Sequence, residues 1–481
     1  MSEEPPVTLV DRYEVEVRAV ALDRLALLLG PERVDRFEVA AESARARLAG
    51  RRVVNVNSTA TGGGVAELLQ TLLAYAKGAG VDARWVVVDG DAGFFEITKR
   101  IHNHLYGIAG DGGPLGLAER EHYERIIGHN VARVDSVVRA GDIVILHDPQ
   151  TAGLAPGLVA RGVSVVWRCH VGIDTQNEHS ELAWAFLRPY LEVIDAYIFS
   201  RAQFAPTWVP RDQLTVIPPS IDPFSAKNEN IEPEQVTRLL RQVGLLAGDG
   251  AGPPVSFLRR NGSRGRVQRG ADLLGTGPPP DPSIPIVLQA SRWDVMKDMR
   301  GVMIGFAESI AGHTDARLIL AGPEASGVTD DPEANDVLRD CLGAWRQLPD
   351  GVRRRVHLAC VPMADSDEAA ATVNALQRHA TVVVQKSFAE GFGLTVTEAM
   401  WKERPVVGSS VGGIVDQIVH GETGMLVDAY DRDQYADAVC SLLDDRELSI
   451  RMGLAGRDRV TDEFLGDRHL EQWAHLFERL I

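Results

Sequence analysis

The chain has 481 residues, more than a single hydrophobic core usually organises, so two large domains are expected. Hydrophobic residues make up 45% and charged residues 24%, and no uninterrupted apolar run of about 18 residues is present, which argues against a membrane span. The net charge of -17 opposes non-specific binding to nucleic acid, so a small ligand held in a cleft is expected instead.

The first ten residues, MSEEPPVTLV, carry acid and proline where a secretory signal would carry basic residues and an apolar stretch, which predicts a cytoplasmic protein. A helix-rich leader occupies residues 1–50. Beyond it, short β-branched runs recur at 52–57, 84–89, 143–147, 163–168, 196–200 and 214–217, with helical patterns between most of them. The paired prolines Pro218 and Pro219 in VIPPSID stiffen the chain as it leaves this set, and a domain boundary is placed just after it, at 220/221. Residues 245–283 are rich in Gly, Pro and polar side chains and read as a mobile insertion. A second set of strands follows at 286–290, 318–321, 356–361, 382–385, 405–408 and 425–427.

Runs such as IVIL and VVVQ are apolar at successive positions, as parallel strands covered by helices on both faces require. The predicted fold is α/β, with two facing, doubly wound, parallel-sheet (Rossmann-like) domains. The first spans 51–220 and the second 221–455, and a helix within 456–481 returns to the first. Ligands of such sheets bind outside the carboxyl ends of the strands. Four cysteines, Cys169, Cys341, Cys360 and Cys440, lack any Cys-x-x-Cys spacing and read as reduced thiols.

Four clusters fall at those carboxyl ends. Asn57–Gly64 (NSTATGGG) is a strand, glycine turn and helix start, in which Gly62, Gly63 and Gly64 permit close backbone approach and the helix offers free N–H groups. A tight turn with no ligand accounts for it equally well, because the Rossmann and P-loop patterns are both missing. His147, Asp148 and Gln150 leave one strand, and Arg168, Cys169 and His170 leave the next. Together they suit a sugar, although a single histidine there is more often a structural residue.

Ser291–Asp298 (SRWDVMKD) supplies Arg292 and Lys297, a planar fork and a point charge that suit a diphosphate; ion pairing with Asp294 or Asp298 is the alternative. Gln385–Met400 (QKSFAEGFGLTVTEAM) places seven residues between Glu390 and Glu398. Gly391 and Gly393 flank Phe392 and let the backbone turn toward a ligand, and a helix opening at Leu394 and Thr395 aims amides at phosphate oxygens. Glu398, about one turn inside that helix, can accept from ribose hydroxyls, while Glu390 can reach the donor sugar. Acids placed for the helix dipole alone would not call for a Gly-Phe-Gly core.

The Glu-x7-Glu pattern with its Gly-Phe-Gly core resembles the signature of the retaining glycosyltransferases of the GT-B fold. More narrowly, NSTATGGGVAELL, FFEITKRIHNHLYG, HDPQTAGL, WRCHVGID, VIPPSIDPFSAKN and QKSFAEGFGLTVTEAMWK resemble the trehalose glycosyltransferring synthases. The resemblance implies that Arg292 and Lys297 bind the donor diphosphate, Glu398 the ribose and Glu390 the transferred sugar, with His170 beside that sugar. It also implies transfer of glucose from an NDP-glucose to free glucose with retention, giving α,α-trehalose and NDP. The catalytic set is then His170, Arg292, Lys297 and Glu390. Gly391, Phe392, Gly393, Leu394, Thr395 and Glu398 complete the donor site, and Gly62, Gly63, Gly64, His147, Asp148, Gln150 and Arg168 form the acceptor site. No metal ligand or obligatory cofactor is expected, a bound Mg2+ being compatible. The partners are a nucleotide sugar and glucose or trehalose, with no nucleic acid or membrane and with room for a homo-oligomer. A retaining trehalose phosphorylase and a sugar-nucleotide-binding or epimerising GT-B protein are the competing readings.

Overall fold

The computed structural model describes residues 13–60, 63–275, 277–324 and 333–481. The chain forms two compact units, Met1–Ser220 with Gly466–Ile481, and Ile221–Leu465.

In the first unit β1 (Val53–Asn57), β2 (Ala83–Val87), β3 (Ile143–His147), β4 (Ser164–Cys169), β5 (Ala196–Phe199) and β6 (Leu214–Val216) make one parallel sheet in the order β2-β1-β3-β4-β5-β6. Alternation along the strands sends Val54, Val56, Leu146, Val165 and Trp167 to one core and Val53, Ile143, Ile145, Val166 and Ile198 to the other. Helices Pro31–Arg47 and Gly466–Leu480 close the second core with Ala44, Trp473 and Phe477. The leader expected over 1–50 is therefore not a separate segment from Pro31 onward. Its apolar face completes the core, and Arg33 pairs with the buried Asp467 of the C-terminal helix at 2.5 Å.

The second unit carries a short antiparallel hairpin, β7 (Ser256–Leu258) with β8 (Arg264–Arg266). Its main sheet comprises β9 (Asp272–Leu274), β10 (Ile286–Ala290), β11 (Arg317–Pro323), β12 (Val356–Val361), β13 (Val382–Gln385), β14 (Val406–Ser409) and β15 (Met425–Val427). The order is β15-β14-β13-β10-β11-β12-β9, and β9 alone runs antiparallel, on β12.

The segment 245–283, expected to be mobile, thus holds three strands. Charge fastens it: Arg259 pairs with Asp365 at 2.5 Å and Arg260 with Asp367 at 2.9 Å. Glu368 accepts from the backbone N–H groups of Gln268 and Arg269, both at 2.6 Å. These acids lie at the start of the Ser366–His379 helix, where the macrodipole also favours them, so one acidic helix end holds both the dipole and the basic insertion. The C-terminal boundary differs as well. Helix Arg446–Glu463 stays in the second unit and the chain leaves it after Leu465, not after 455.

Each sheet has a switch point, where successive strands depart to opposite sides and leave a crevice at their carboxyl ends. In the first unit it lies between β1 and β3, and in the second between β10 and β13. Among the described residues no helix is long and apolar enough to cross a membrane, and all four cysteines are free thiols.

Candidate active site

In the second unit the switch point brings the turn after β10 against the turn after β13. Buried glutamines from the two strand ends lace these turns together. Gln289 donates to the Lys297 carbonyl at 2.6 Å and accepts from Lys386 N at 3.2 Å. The Gln385 amide oxygen accepts from Ser291 Oγ at 3.1 Å and Thr395 Oγ1 at 2.8 Å. Both turns are basic and acidic in register, giving two buried ion pairs, Lys297 with Glu390 at 2.5 Å and Lys386 with Asp298. Glu390 Oε2 also accepts from Ser387 Oγ at 3.3 Å, so this carboxylate is oriented by a cation and a hydroxyl together.

Gly393 sits at φ +86 and caps the helix Leu394–Trp401, which opens at the two residues whose amides were expected to face phosphate. Of the two glycines flanking Phe392, Gly393 takes a left-handed backbone and Gly391 does not. Phe392 is buried against Phe464, with ring centroids 5.6 Å apart, and so shapes the loop from beneath. Glu398 is buried, with Oε1 3.1 Å from Lys227 Nζ, while its Oε2 has no hydrogen-bond partner. A buried carboxylate oxygen without a donor is costly and fits a site that a ligand hydroxyl completes. Arg292 is 41% exposed and 3.2 Å from Asp294 Oδ2, so the alternative ion pair exists, at the mouth of the same turn.

Gly412 and Gly413, after β14, escaped the sequence reading. A Cβ on Gly412, at φ +49, would fall on the Glu390 carbonyl, and Gly413 N donates to that carbonyl at 3.3 Å. The signal was present as a glycine pair following the strand next to β13. Lys227, Lys386 and Gln289 were likewise missed, because their partners are distant in sequence, and Asp298, expected as an alternative partner within its own turn, pairs instead with Lys386.

In the first unit the crevice-side residues form a linked set. Asp148 adopts a left-handed φ of 60, and its Oδ1 accepts from His170 N at 2.8 Å. His147 Nδ1 lies 2.9 Å from His170 Nε2 and His147 Nε2 lies 3.0 Å from Asn55 Oδ1, with the two rings stacked at 5.3 Å. Burial and the neighbouring Arg168 guanidinium hold both imidazoles well below their ordinary range. Burial lifts the Asp148 carboxyl to about 7.

Two acceptor-site expectations need correcting. His147 is buried with both ring nitrogens engaged, so it acts on His170 rather than on a ligand. Arg168 is buried too, donating to His469 Nε2 and to the Ile217 carbonyl, each at 3.2 Å, and burial lowers it to about 9. Its pleat position directs it into the core beneath the C-terminal helix, where Trp473 lies 5.6 Å away. Gln150 is half-buried on the turn after β3, and Gly64 is exposed in the first turn of the helix Gly63–Gly78, which Gly63 opens. Gly62 lies outside the described residues. Among the described residues no group of three or more His, Cys, Asp or Glu is placed to hold a metal ion.

Solved structures share this arrangement of sheets. The UDP-forming α,α-trehalose-phosphate synthase of Burkholderia vietnamiensis superposes with a TM-score of 0.62 at 13% identity, over 89% of this chain and 98% of that one. The fold is that of a GT-B glycosyltransferase. The family profile described as trehalose synthase, N-terminal domain, matches residues 55–206, and that described as glycosyl transferases group 1 matches 367–459. The trehalose synthase of Pyrococcus horikoshii is 33% identical over 455 residues, 94% of this chain and 95% of its own. A trehalose phosphorylase of Pleurotus pulmonarius is 24% identical over 87% of this chain and 56% of its own. The chain belongs to the trehalose synthase family of glycosyltransferases.

Proposed function

We propose that this protein transfers glucose from an NDP-glucose to free glucose with retention of configuration, forming α,α-trehalose and releasing NDP. The observation that carries the donor half is the second unit's switch point. There Lys297 pairs with Glu390, Arg292 leaves the same turn as Lys297, and the helix opening at Leu394 carries the half-satisfied Glu398, which supports one donor site for all of them. Arg292, Lys297 and the Leu394 and Thr395 amides compensate the diphosphate as it leaves, Glu398 takes the ribose hydroxyls, and Glu390 takes the hydroxyls of the sugar ring.

In the front-face substitution the bond between the anomeric carbon and the diphosphate oxygen breaks, and its electron pair leaves on the NDP oxygen. The acceptor hydroxyl oxygen bonds to that carbon on the same face, and its proton passes to the departing phosphate. Positioning and charge compensation supply the rate.

For the acceptor, the first unit offers His170, Asp148 and Gln150 at its crevice, groups suited to the hydroxyls of a neutral sugar. A phosphorylated acceptor calls for a dedicated cation. Arg168 is committed within the core, which favours free glucose over glucose 6-phosphate.

The test offers glucose and glucose 6-phosphate at equal concentration with NDP-glucose and identifies the product by NMR. Equal amounts of NDP and α,α-trehalose are expected. A larger kcat/KM for glucose 6-phosphate, or another linkage, would overturn the acceptor assignment. Turnover that requires inorganic phosphate and releases no NDP would identify a phosphorylase.

A further inference from the structure

Asn55 stands in the middle of β1 and, with the indole N–H of Trp473, supplies the polar groups in the lining of an otherwise apolar cavity of about 50 Å3 between the sheet and the helices Pro31–Arg47, Gly63–Gly78 and Gly466–Leu480. A polar residue buried there has a cost that its hydrogen bond to His147 must offset. That bond also carries chemical information. An amide oxygen only accepts, so the His147 Nε2 that meets Asn55 Oδ1 at 3.0 Å carries the proton. In a neutral imidazole the other nitrogen is then a lone pair, and His147 Nδ1 accepts from His170 Nε2 at 2.9 Å. His170 is left with a proton on Nε2 and a lone pair on Nδ1.

We propose that Asn55 is a positioning residue that, through His147, fixes His170 in the Nε2–H form, so that His170 Nδ1 serves as a hydrogen-bond acceptor for a sugar hydroxyl. The neutral state that this relay needs is supported from all sides. The His147 ring is buried and the His170 ring partly so, the Arg168 guanidinium repels a second positive charge, and His469, behind Arg168, is itself held neutral. The Asp148 carboxylate bonds the His170 backbone N–H, which leaves the ring protons to the relay. If the amide of Asn55 were turned, its NH2 would donate to His147 Nε2. The relay would then reverse, and His170 would offer an Nδ1–H donor instead. One side-chain orientation in the strand thus decides whether the site gives or takes a hydrogen bond.

The role of the hydroxyl rests on the proposed function, but the proton positions do not, and the experiment separates them. Histidine 15N NMR of the full chain, with His170 assigned through His170→Gln, is expected to show protonated Nε2 and unprotonated Nδ1. Asn55→Asp keeps the shape of the side chain and, as a carboxylate, only accepts, so His147 keeps Nε2–H, His170 keeps its own Nε2–H and the tautomers are expected to match the wild type. Asn55→Leu, with the cavity to accommodate it, removes the acceptor and is expected to give a mixture of tautomers. Turnover of Asn55→Leu is expected to fall by about tenfold with donor KM little changed, as loss of a hydrogen bond in the transition state does. An Nδ1–H signal for His170 in the wild type overturns the proposal. So does an Asn55→Leu variant with unchanged tautomers and wild-type turnover. A shifted tautomer without loss of turnover would overturn the acceptor role of Nδ1 alone, whatever sugar proves to be the substrate.

Discussion

Lys297 Nζ lies 2.5 Å from Glu390 Oε2, with the two side chains only 13% and 8% exposed, although 93 residues separate them. Removing one partner leaves the other charge buried and uncompensated, which costs about 3–5 kcal/mol. Lys297→Ala is therefore expected to lower the urea midpoint markedly, whereas Lys297→Met combined with Glu390→Gln recovers most of the loss. Equal destabilisation in the single and double variants would show that the pair is not energetically coupled.

Arg292 should behave differently, because it is 41% exposed and its ion pair with Asp294 is largely solvated. Arg292→Ala is expected to change stability by less than about 1 kcal/mol. Affinity for a nucleoside diphosphate, read by calorimetry, is expected to weaken about 10- to 100-fold, as loss of a charge-assisted hydrogen bond worth about 1.5–3 kcal/mol implies. Unchanged binding would remove Arg292 from the donor site.

The two glutamates are expected to separate kinetically. Glu398→Gln should chiefly raise donor KM, since its unpartnered Oε2 is placed to accept from ribose. Glu390→Gln should chiefly lower kcat, since Lys297 and Ser387 orient that carboxylate beside the glycine turn. Identical kinetic profiles for the two variants would argue against distinct roles.

Gly412 and Gly421 make an internal comparison. Both have left-handed backbones, at φ +49 and +81, yet a Cβ on Gly421 meets open space while one on Gly412 falls on the Glu390 carbonyl. Gly421→Ala is expected to cost about 1 kcal/mol through its backbone conformation alone. Gly412→Ala is expected to cost more and to lower turnover by displacing Glu390. Parallel behaviour of the two in melting and kinetic assays would count against that packing role.

Asp148 gives a pH-dependent prediction. Burial raises its carboxyl from 3.8 to about 7 in the fold, so the folded state disfavours the ionised form. The stability associated with the protonated group is complete below about pH 4 and is lost as pH rises through about 7. Asp148→Asn preserves an acceptor for His170 N and tolerates the left-handed backbone. Its melting temperature is expected to match the wild type near pH 4 and to exceed it at pH 8. A constant difference across that range would exclude titration of Asp148 as the source.

Much of this architecture is readable in one dimension because its causes are local. Strand runs such as IVIL and VVVQ announce parallel strands buried on both faces, and Gly393 before Leu394 announces a left-handed turn into a helix. The spacing of Glu390 and Glu398 likewise puts one carboxylate before that turn and the other inside the helix. The insertion was misread for the converse reason. Its Gly and Pro content describes the isolated segment, whereas its order comes from Asp365, Asp367 and Glu368, about a hundred residues further along.

The site divides along the same line. Residue types and their proximity to strand ends could be taken from the sequence, because strand and turn propensities act over a few residues. Which face of the pleat each side chain occupied, and which partner waited there, depended on sheet order and on a helix from the far end of the chain. Arg168 and His147 look like ligand-binding groups beside a strand end, and only the packing of His469 and Asn55 against them turns one into a core cation and the other into the support of His170. A hydrogen bond is decided by distances of a few tenths of an ångström between groups 92 or 301 residues apart, and such distances exist only once the chain has folded.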